Sequence, residues 1–182
     1  MNLTHHFLLA MPGLVGDYFA DSLTYVCEHN DDGAMGIIVN RPAELSLVEL
    51  LAQVGLPANR RYVDTPVLEG GPVSAERGFV LHRGDGEVAS STDIGNGMHL
   101  ATALDVLDAI ANDNGPDEFQ VALGYAGWGA GQLESEVAAN AWLTLPADPE
   151  IVFSVPYAER SQTAAASLGV DMRLMSPRPG HA

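Results

Sequence analysis

Apolar positions recur every second residue in some stretches of this chain and every third or fourth in others, and the alternation between the two marks out its elements. Residues 3–10, LTHHFLLA, read as an opening strand closed by Pro12 and Gly13. DYFADS allows one helical turn, and LTYVCEH and AMGIIVN flank NDDG, whose Asp32-Gly33 is a strong hairpin signal. RPAEL then carries the chain to a helix, SLVELLAQVG, with Ser46 as N-cap, Glu49 completing a capping box and Gly55 closing it. PVLEGG, GFVLHR and EVASST read as strands, the last two joined by a GDG turn. HLATALDVLDAIAND has the clearest helical period: Leu100, Ala103, Leu104, Leu107 and Ile110–Ala111 share one face, while Asp105 and Asp108 point elsewhere. The strand EFQVALGYAGW, a glycine turn, the helix QLESEVAANAW and the strands WLTLP and IVFSVP follow. A last helix over about 157–168 ends at Gly169, before VDMRLM. Strands occur both as hairpins and between helices, which predicts an α+β fold with a mixed sheet in one domain spanning residues 1–182.

Composition narrows the functional classes. The chain carries 24 acidic residues against 8 basic ones, a net charge of −16, and every basic residue is arginine. Nucleic-acid contact needs lysine and arginine over an extended surface, so direct DNA or RNA binding is not expected. An acidic surface suits solubility and a salty cytoplasm. No apolar run approaches the roughly 20 residues that span a bilayer, and FLLAMPGLVG lacks the basic flank of a signal peptide. A cytoplasmic protein without membrane attachment is expected. Cys27 stands alone, which excludes a thiolate metal cluster and favours a small buried side chain over a nucleophile.

The segment GYAGWGAGQLESE places glycines at 124, 127, 129 and 131 between a strand and a helix, a layout shared with phosphate loops. Against that use, no lysine follows the last glycine, where Gln132 stands, and Glu134 and Glu136 occupy the helix start. The G-x-G-x-x-G spacing is absent as well. A steric role is favoured, with the glycines allowing close approach around Trp128, and Gln132, Glu134 and Glu136 lining a cleft beside it. No cofactor is implied.

Other candidates are weaker. Arg41, in the NRP of Asn40 to Pro42, can grip a carboxylate, although pairing with Glu44 or Glu69 is the plainer use. The amides of Gly70 and Gly71, before Pro72, suggest an anion nest or simply a tight turn. His82 reads as a histidine at the core edge with one satisfied hydrogen bond, and His5, His6 and His29 as bystanders, His29 at the surface. A metal set of His82, Asp93 and His99 lacks a recognised ligand spacing, so no metal is expected. A triad from Ser90 or Ser91 with His82 and Asp93 lacks a G-x-S-x-G elbow.

Taken in order, AMPGL, YVCEHNDDGAMGIIVNRP, GGPV, GFVLH, LGYAGWGAGQLESEVAANAWL and the terminal GHA resemble the AlgH/YqgE family of bacterial proteins. The resemblance runs from about residue 3 to residue 182 and implies a bifurcated sheet curled into a pseudo-barrel with helices packed around it. It implies a shared surface from Asn40, Arg41, Pro42, Gly70, Gly71, Pro72, His82, Tyr125, Trp128, Gln132, Glu134 and Glu136, and it transfers no catalytic set. Members often carry a transcriptional-regulator label, but no helix-turn-helix with a basic second helix is evident here. One departure stands out: relatives place a tryptophan after the Glu-Arg that begins the last helix, and this chain has Ser161 after Glu159–Arg160. The expectation is a non-enzymatic binding or regulatory protein acting through a protein partner or small ligand. The alternative is an enzyme for a small anionic or polar substrate, with Arg41 and the Gly70–Gly71 amides binding it and Glu134, Glu136 or His82 as acid or base.

Overall fold

The computed structural model describes residues 1–13, 16–84, 90–102 and 104–175. The strands are β1 (His6–Ala10), β2 (Leu23–Asn30), β3 (Gly33–Ile38), β4 (Pro42–Ser46), β5 (Pro66–Glu69), β6 (Val73–Arg83), β7 (Ser91–Gly95), β8 (Met98–Ala101), β9 (Glu118–Gly129) and β10 (Trp142–Pro146). The α-helices are α1 (Leu47–Gln53), α2 (Leu104–Ala111), α3 (Gln132–Ala138), α4 (Pro149–Ser154) and α5 (Arg160–Ala166). The fold is α+β, as the mixture of hairpins and helices predicts. It divides into two compact units, one of residues 1–40 with 126–182 and one of residues 41–125.

In the first unit every strand pairing is antiparallel, in the order β10-β1-β2-β3-β9. The β2–β3 hairpin forms where Asp32-Gly33 predicts it, with Asn30 opposite Gly33. Cys27 is an extra residue in β2: Val26 faces Gly36 and Glu28 faces Met35, the next partner along. This bulge moves every later residue to the opposite face, placing His29 on the side of Val26, and His29, expected at the surface, is 4% exposed. The core gathers Leu8, Val26, Trp128, Leu133 and Trp142, with Phe19 packed against it.

The second unit holds a mixed sheet. β5 runs parallel to β9, whereas β6 is antiparallel to both β9 and β8, and β8 to β7. α1 begins as its sequence predicts: the Ser46 hydroxyl accepts from Glu49 N and the Glu49 carboxylate accepts from Ser46 N at 2.8 Å. It ends in a Schellman arrangement, Leu56 N donating to Leu51 O at 2.9 Å with Gly55 left-handed at φ +76°. The core joins Leu47, Leu51, Val67, Val80, Val106, Ile110 and Val121.

Four assignments change. RPAEL contributes β4 as well as the approach to α1. His99 and Leu100 lie in β8, because Asn96 and Gly97, both at positive φ, form a two-residue hairpin between β7 and β8. Leu104, expected on the buried face of α2, is 58% exposed. IVFS is helical: Asp148 caps α4 by accepting from Glu150 N, and Pro149 takes the first helical position. Ala103, most of the GDG turn, the start of EVASST and the GHA terminus lie outside the described residues.

Candidate functional site

The glycine-rich segment takes part in a compact polar arrangement in the first unit. β9 delivers Trp128 and α3 delivers Glu136, while β10 brings in Trp142. Both indole N–H groups donate to the same Glu136 Oε2, each at 2.8 Å. The other carboxylate oxygen accepts from Gln132 Nε2 at 3.1 Å, and Gln132 Oε1 accepts from Gly129 N at 3.0 Å. A charged acceptor shared by two buried donors is among the stronger hydrogen-bond arrangements available to a fold. Trp128 and Trp142 meet edge-on at 6.0 Å, and Phe19 packs on both. The two tryptophans are 6% and 4% exposed, so the group fills its own space rather than opening as a cleft. The amide of Gly129 is bound within the turn, which leaves one fewer N–H for a phosphate.

Glu134 serves a different partner. Leu3 N donates to His29 Nδ1 at 2.9 Å, which leaves the proton on Nε2 to donate to Glu134 Oε1 at 2.8 Å. Its own backbone N–H and the His29 ring hold the Glu134 carboxyl below the usual carboxylate range. The pair ties the first residues of the chain to α3.

Asn40 is a bracket. Its Oδ1 accepts from Leu23 N at 2.9 Å, and its Nδ2 donates to Asp21 O and to Ser161 Oγ, both at 2.8 Å. Ser161, the departure from the pattern of relatives, thus has its own bonding role. Beside it, Arg160 is 2% exposed, donates to Val39 O at 2.6 Å and Val155 O at 2.8 Å, and lies 4.2 Å over the Tyr157 ring. Asn40→Ala is expected to cost about 2 kcal/mol, since it removes an acceptor and two donors from part-buried backbone and hydroxyl partners. Urea unfolding measures it, and a loss below about 0.5 kcal/mol would contradict the bracket.

The remaining predicted residues belong to the second unit. Gly70 N donates to Leu123 O at 2.8 Å, so this amide of the supposed anion nest is already engaged. A Cβ on Gly70 would lie 2.3 Å from the Gly124 carbonyl oxygen, and one on Gly124 2.4 Å from that of Gly71. Backbone crosses backbone here, and the steric use of glycine is fully visible. The carbonyl of half-buried Arg41 accepts from Glu69 N at 2.8 Å, Pro72 is exposed, and Tyr125 meets Phe79 edge-on at 5.6 Å. His82 is 1% exposed, shares a 2.6 Å hydrogen bond with Ser91 Oγ and stacks on His99 at 5.3 Å. Burial, and then the neighbouring His99, push its imidazole down to about 4. Cys27 in the first unit is buried, and burial with the nearby Glu28 charge pushes its thiol up to about 12, far from nucleophilic use.

Comparison with known proteins places this arrangement. The AlgH-like family, DUF179, matches residues 7–173. This chain belongs to the AlgH-like family. A UPF0301 protein of Thioalkalivibrio sulfidiphilus is 50% identical over 100% of this chain and 97% of its own length. One of Saccharophagus degradans is 49% identical over 100% and 90% respectively. The solution structure of the AlgH protein of Pseudomonas aeruginosa superposes with a TM-score of 0.83 at 47% identity, covering 100% of this chain and 97% of that one. A Corynebacterium diphtheriae protein shares the fold alone, with a TM-score of 0.75 at 17% identity over 96% of this chain and 91% of that one. In this AlgH-like chain Trp128 belongs to an internal hydrogen-bonded group.

The AlgH-like chain also has an opening that its sequence did not announce. In the second unit an apolar groove of about 120 Å³ lies among Leu50, Val54, Phe79, Leu104 and Leu107, with Glu76 on its wall. Leu104 and Val54, at 58% and 37% exposed, are large aliphatic side chains left partly in water beside it. The only available signal was Leu104 in an otherwise amphipathic helix, and periodicity assigned it to the core. No helix among the described residues is long and apolar enough to cross a membrane.

Proposed function

We propose that this AlgH-like protein is a non-enzymatic binding protein that engages a partner protein through the apolar groove of its second unit. The observation that carries the reading is the groove itself, with Leu104 and Val54 exposed beside it. An apolar cavity of roughly 150 Å³ holds a benzene ring, so about 120 Å³ suits one leucine- or phenylalanine-sized anchor. Glu76 on the wall and a net charge of −16 favour an anchor flanked by lysine or arginine. A regulatory role exerted through such a partner needs no nucleic-acid contact. The alternative, an enzyme for a small anionic substrate, has less support, because the Gly70 amide and the Glu134 and Glu136 carboxylates hold internal hydrogen bonds.

Short peptides bearing Leu or Phe between basic residues, titrated by amide-resolved NMR, test the proposal. Shifts are expected at Leu50, Val54, Phe79 and Leu104, and an acidic peptide of the same shape should bind at least tenfold more weakly. A Cβ on Gly78 would meet no atom within 4 Å, so Gly78→Leu should obstruct the groove without displacing its walls. Unchanged binding to a folded Gly78→Leu variant, or shifts confined to other surfaces, would overturn the reading.

A further inference from the structure

β6 is longer than the strand beside it. β8 covers it only from Val80, opposite Ala101, to Arg83, opposite Met98. From Val73 to Phe79 no strand among the described residues pairs with β6 on that side, and Val73 to Arg77 are exposed. Successive residues of a strand aim their N–H and C=O groups at opposite edges, so within Glu76–Gly78 at least one residue turns both groups to the open side. The side chains alternate as well. Gly78 and Val80 share a face with Leu123 and Val121, their partners in β9, and all four line the apolar groove together with Glu76. A Cβ on Gly78 would meet no atom within 4 Å, so this face of the strand is open there. Arg77 lies instead over the Phe79 ring, its guanidinium 5.3 Å from the centroid, and Glu76 supplies the charge on the groove wall.

We propose that the partner segment binds as an added strand, antiparallel to β6 along Glu76–Gly78, with a leucine or phenylalanine in the groove and a lysine or arginine two residues later beside Glu76. The inference rests on the groove reading and gives its occupant a conformation and an order of residues. Main-chain hydrogen bonds to an open sheet edge hold an extended segment, and pockets for every second side chain select it. Antiparallel is the direction of β8, the strand already on this edge, and antiparallel pairing is slightly the more stable per residue. β6 runs from Glu76 to Gly78, so a chain running the other way passes Gly78 first and Glu76 second. The apolar residue therefore precedes the basic one. A helical occupant would space its anchors three or four residues apart and leave the β6 edge unpaired.

Capped peptides Thr-Thr-Leu-Thr-Arg-Thr and Thr-Thr-Arg-Thr-Leu-Thr, titrated into the full chain by amide-resolved NMR, test the assignment. The first is expected to bind about tenfold more tightly, and a folded Glu76→Arg variant should prefer Thr-Thr-Leu-Thr-Glu-Thr instead. Single N-methylation at the leucine, or at the threonine after it, removes one of two adjacent amides. One of these changes should weaken binding about tenfold and the other leave it within about twofold, because adjacent amides face opposite edges of a strand. Equal binding of the two orders, an unchanged preference in Glu76→Arg, or N-methylated peptides that both bind like the parent or both fail would overturn the added strand while leaving the groove as the site. Absence of shifts at Leu50, Val54 and Leu104 with every peptide would remove the groove reading itself, and the strand with it.

Discussion

Gly124→Ala is expected to lower the unfolding free energy by about 2–5 kcal/mol, the largest effect of any single methyl group considered. Two costs add. At φ +76° a side chain pays the left-handed penalty of about 1–2 kcal/mol. The new Cβ would also lie 2.4 Å from the Gly71 carbonyl oxygen and 3.3 Å from the Ala75 Cα. Those atoms are backbone and cannot turn aside, so an overpacking cost of about 1–3 kcal/mol follows. Gly129→Ala is the control, since its Cβ would meet only the Gln132 Oε1 atom, at 3.9 Å. Equilibrium urea unfolding should separate the two variants widely. Equal midpoints would remove the steric account of this glycine-rich strand.

Glu136→Ala is the second large effect, with an expected loss of about 3 kcal/mol. Removing the carboxylate strands the indole N–H groups of Trp128 and Trp142, and each buried unpaired donor costs about 1–3 kcal/mol. Glu136→Gln keeps an acceptor oxygen in nearly the same place and should lose only about 1 kcal/mol. Tryptophan fluorescence reports the same change directly, with a red shift in the alanine variant and little in the glutamine variant. If both variants cost the same, or the alanine variant costs under 1 kcal/mol, the carboxylate is not what holds the two indoles.

These two cases show where the sequence is legible. The capping box of α1, the β2–β3 hairpin and the Gly169 end of the last helix depend on residues within a few positions of one another, and each is found as read. The steric reading of the glycine turn holds at Gly124, which meets crossing backbone, and Gly131 needs glycine for its positive φ. A Cβ on Gly129 or Gly131 would meet nothing closer than 3.9 Å, so close approach around Trp128 is not what these two provide. IVFS failed because a short apolar run has no decisive period, although Asp148-Pro149 before it was a usable start signal. Asn96-Gly97 was an overlooked hairpin signal, and missing it moved His99 from a strand into a helix. The site was less legible than the fold. Asn40 meets Ser161 across 121 positions, and one bulge at Cys27 sets which face of β2 His29 takes. Neither follows from spacing. Among the residues grouped as one surface by resemblance, several belong to separately bonded sets: Trp128, Gln132 and Glu136; Glu134 with His29; Asn40 with Ser161; Gly70 and Gly71 with Gly124; and His82 with Ser91.

The order of the units along the chain bears on biosynthesis. Residues 41–125 are continuous, while the first unit is made of residues 1–40 and 126–182. A ribosome therefore delivers everything the inner unit needs before the outer one is complete. β1, with four of its five residues buried in the finished protein, can pair early with β2 but must wait for β10. At roughly 5–20 residues per second that wait is on the order of ten seconds. During it, one edge of an apolar strand stands open to other nascent chains. Truncation before Trp142 would make that exposure permanent, so prematurely terminated chains should aggregate or be degraded even though the inner unit is fully synthesised.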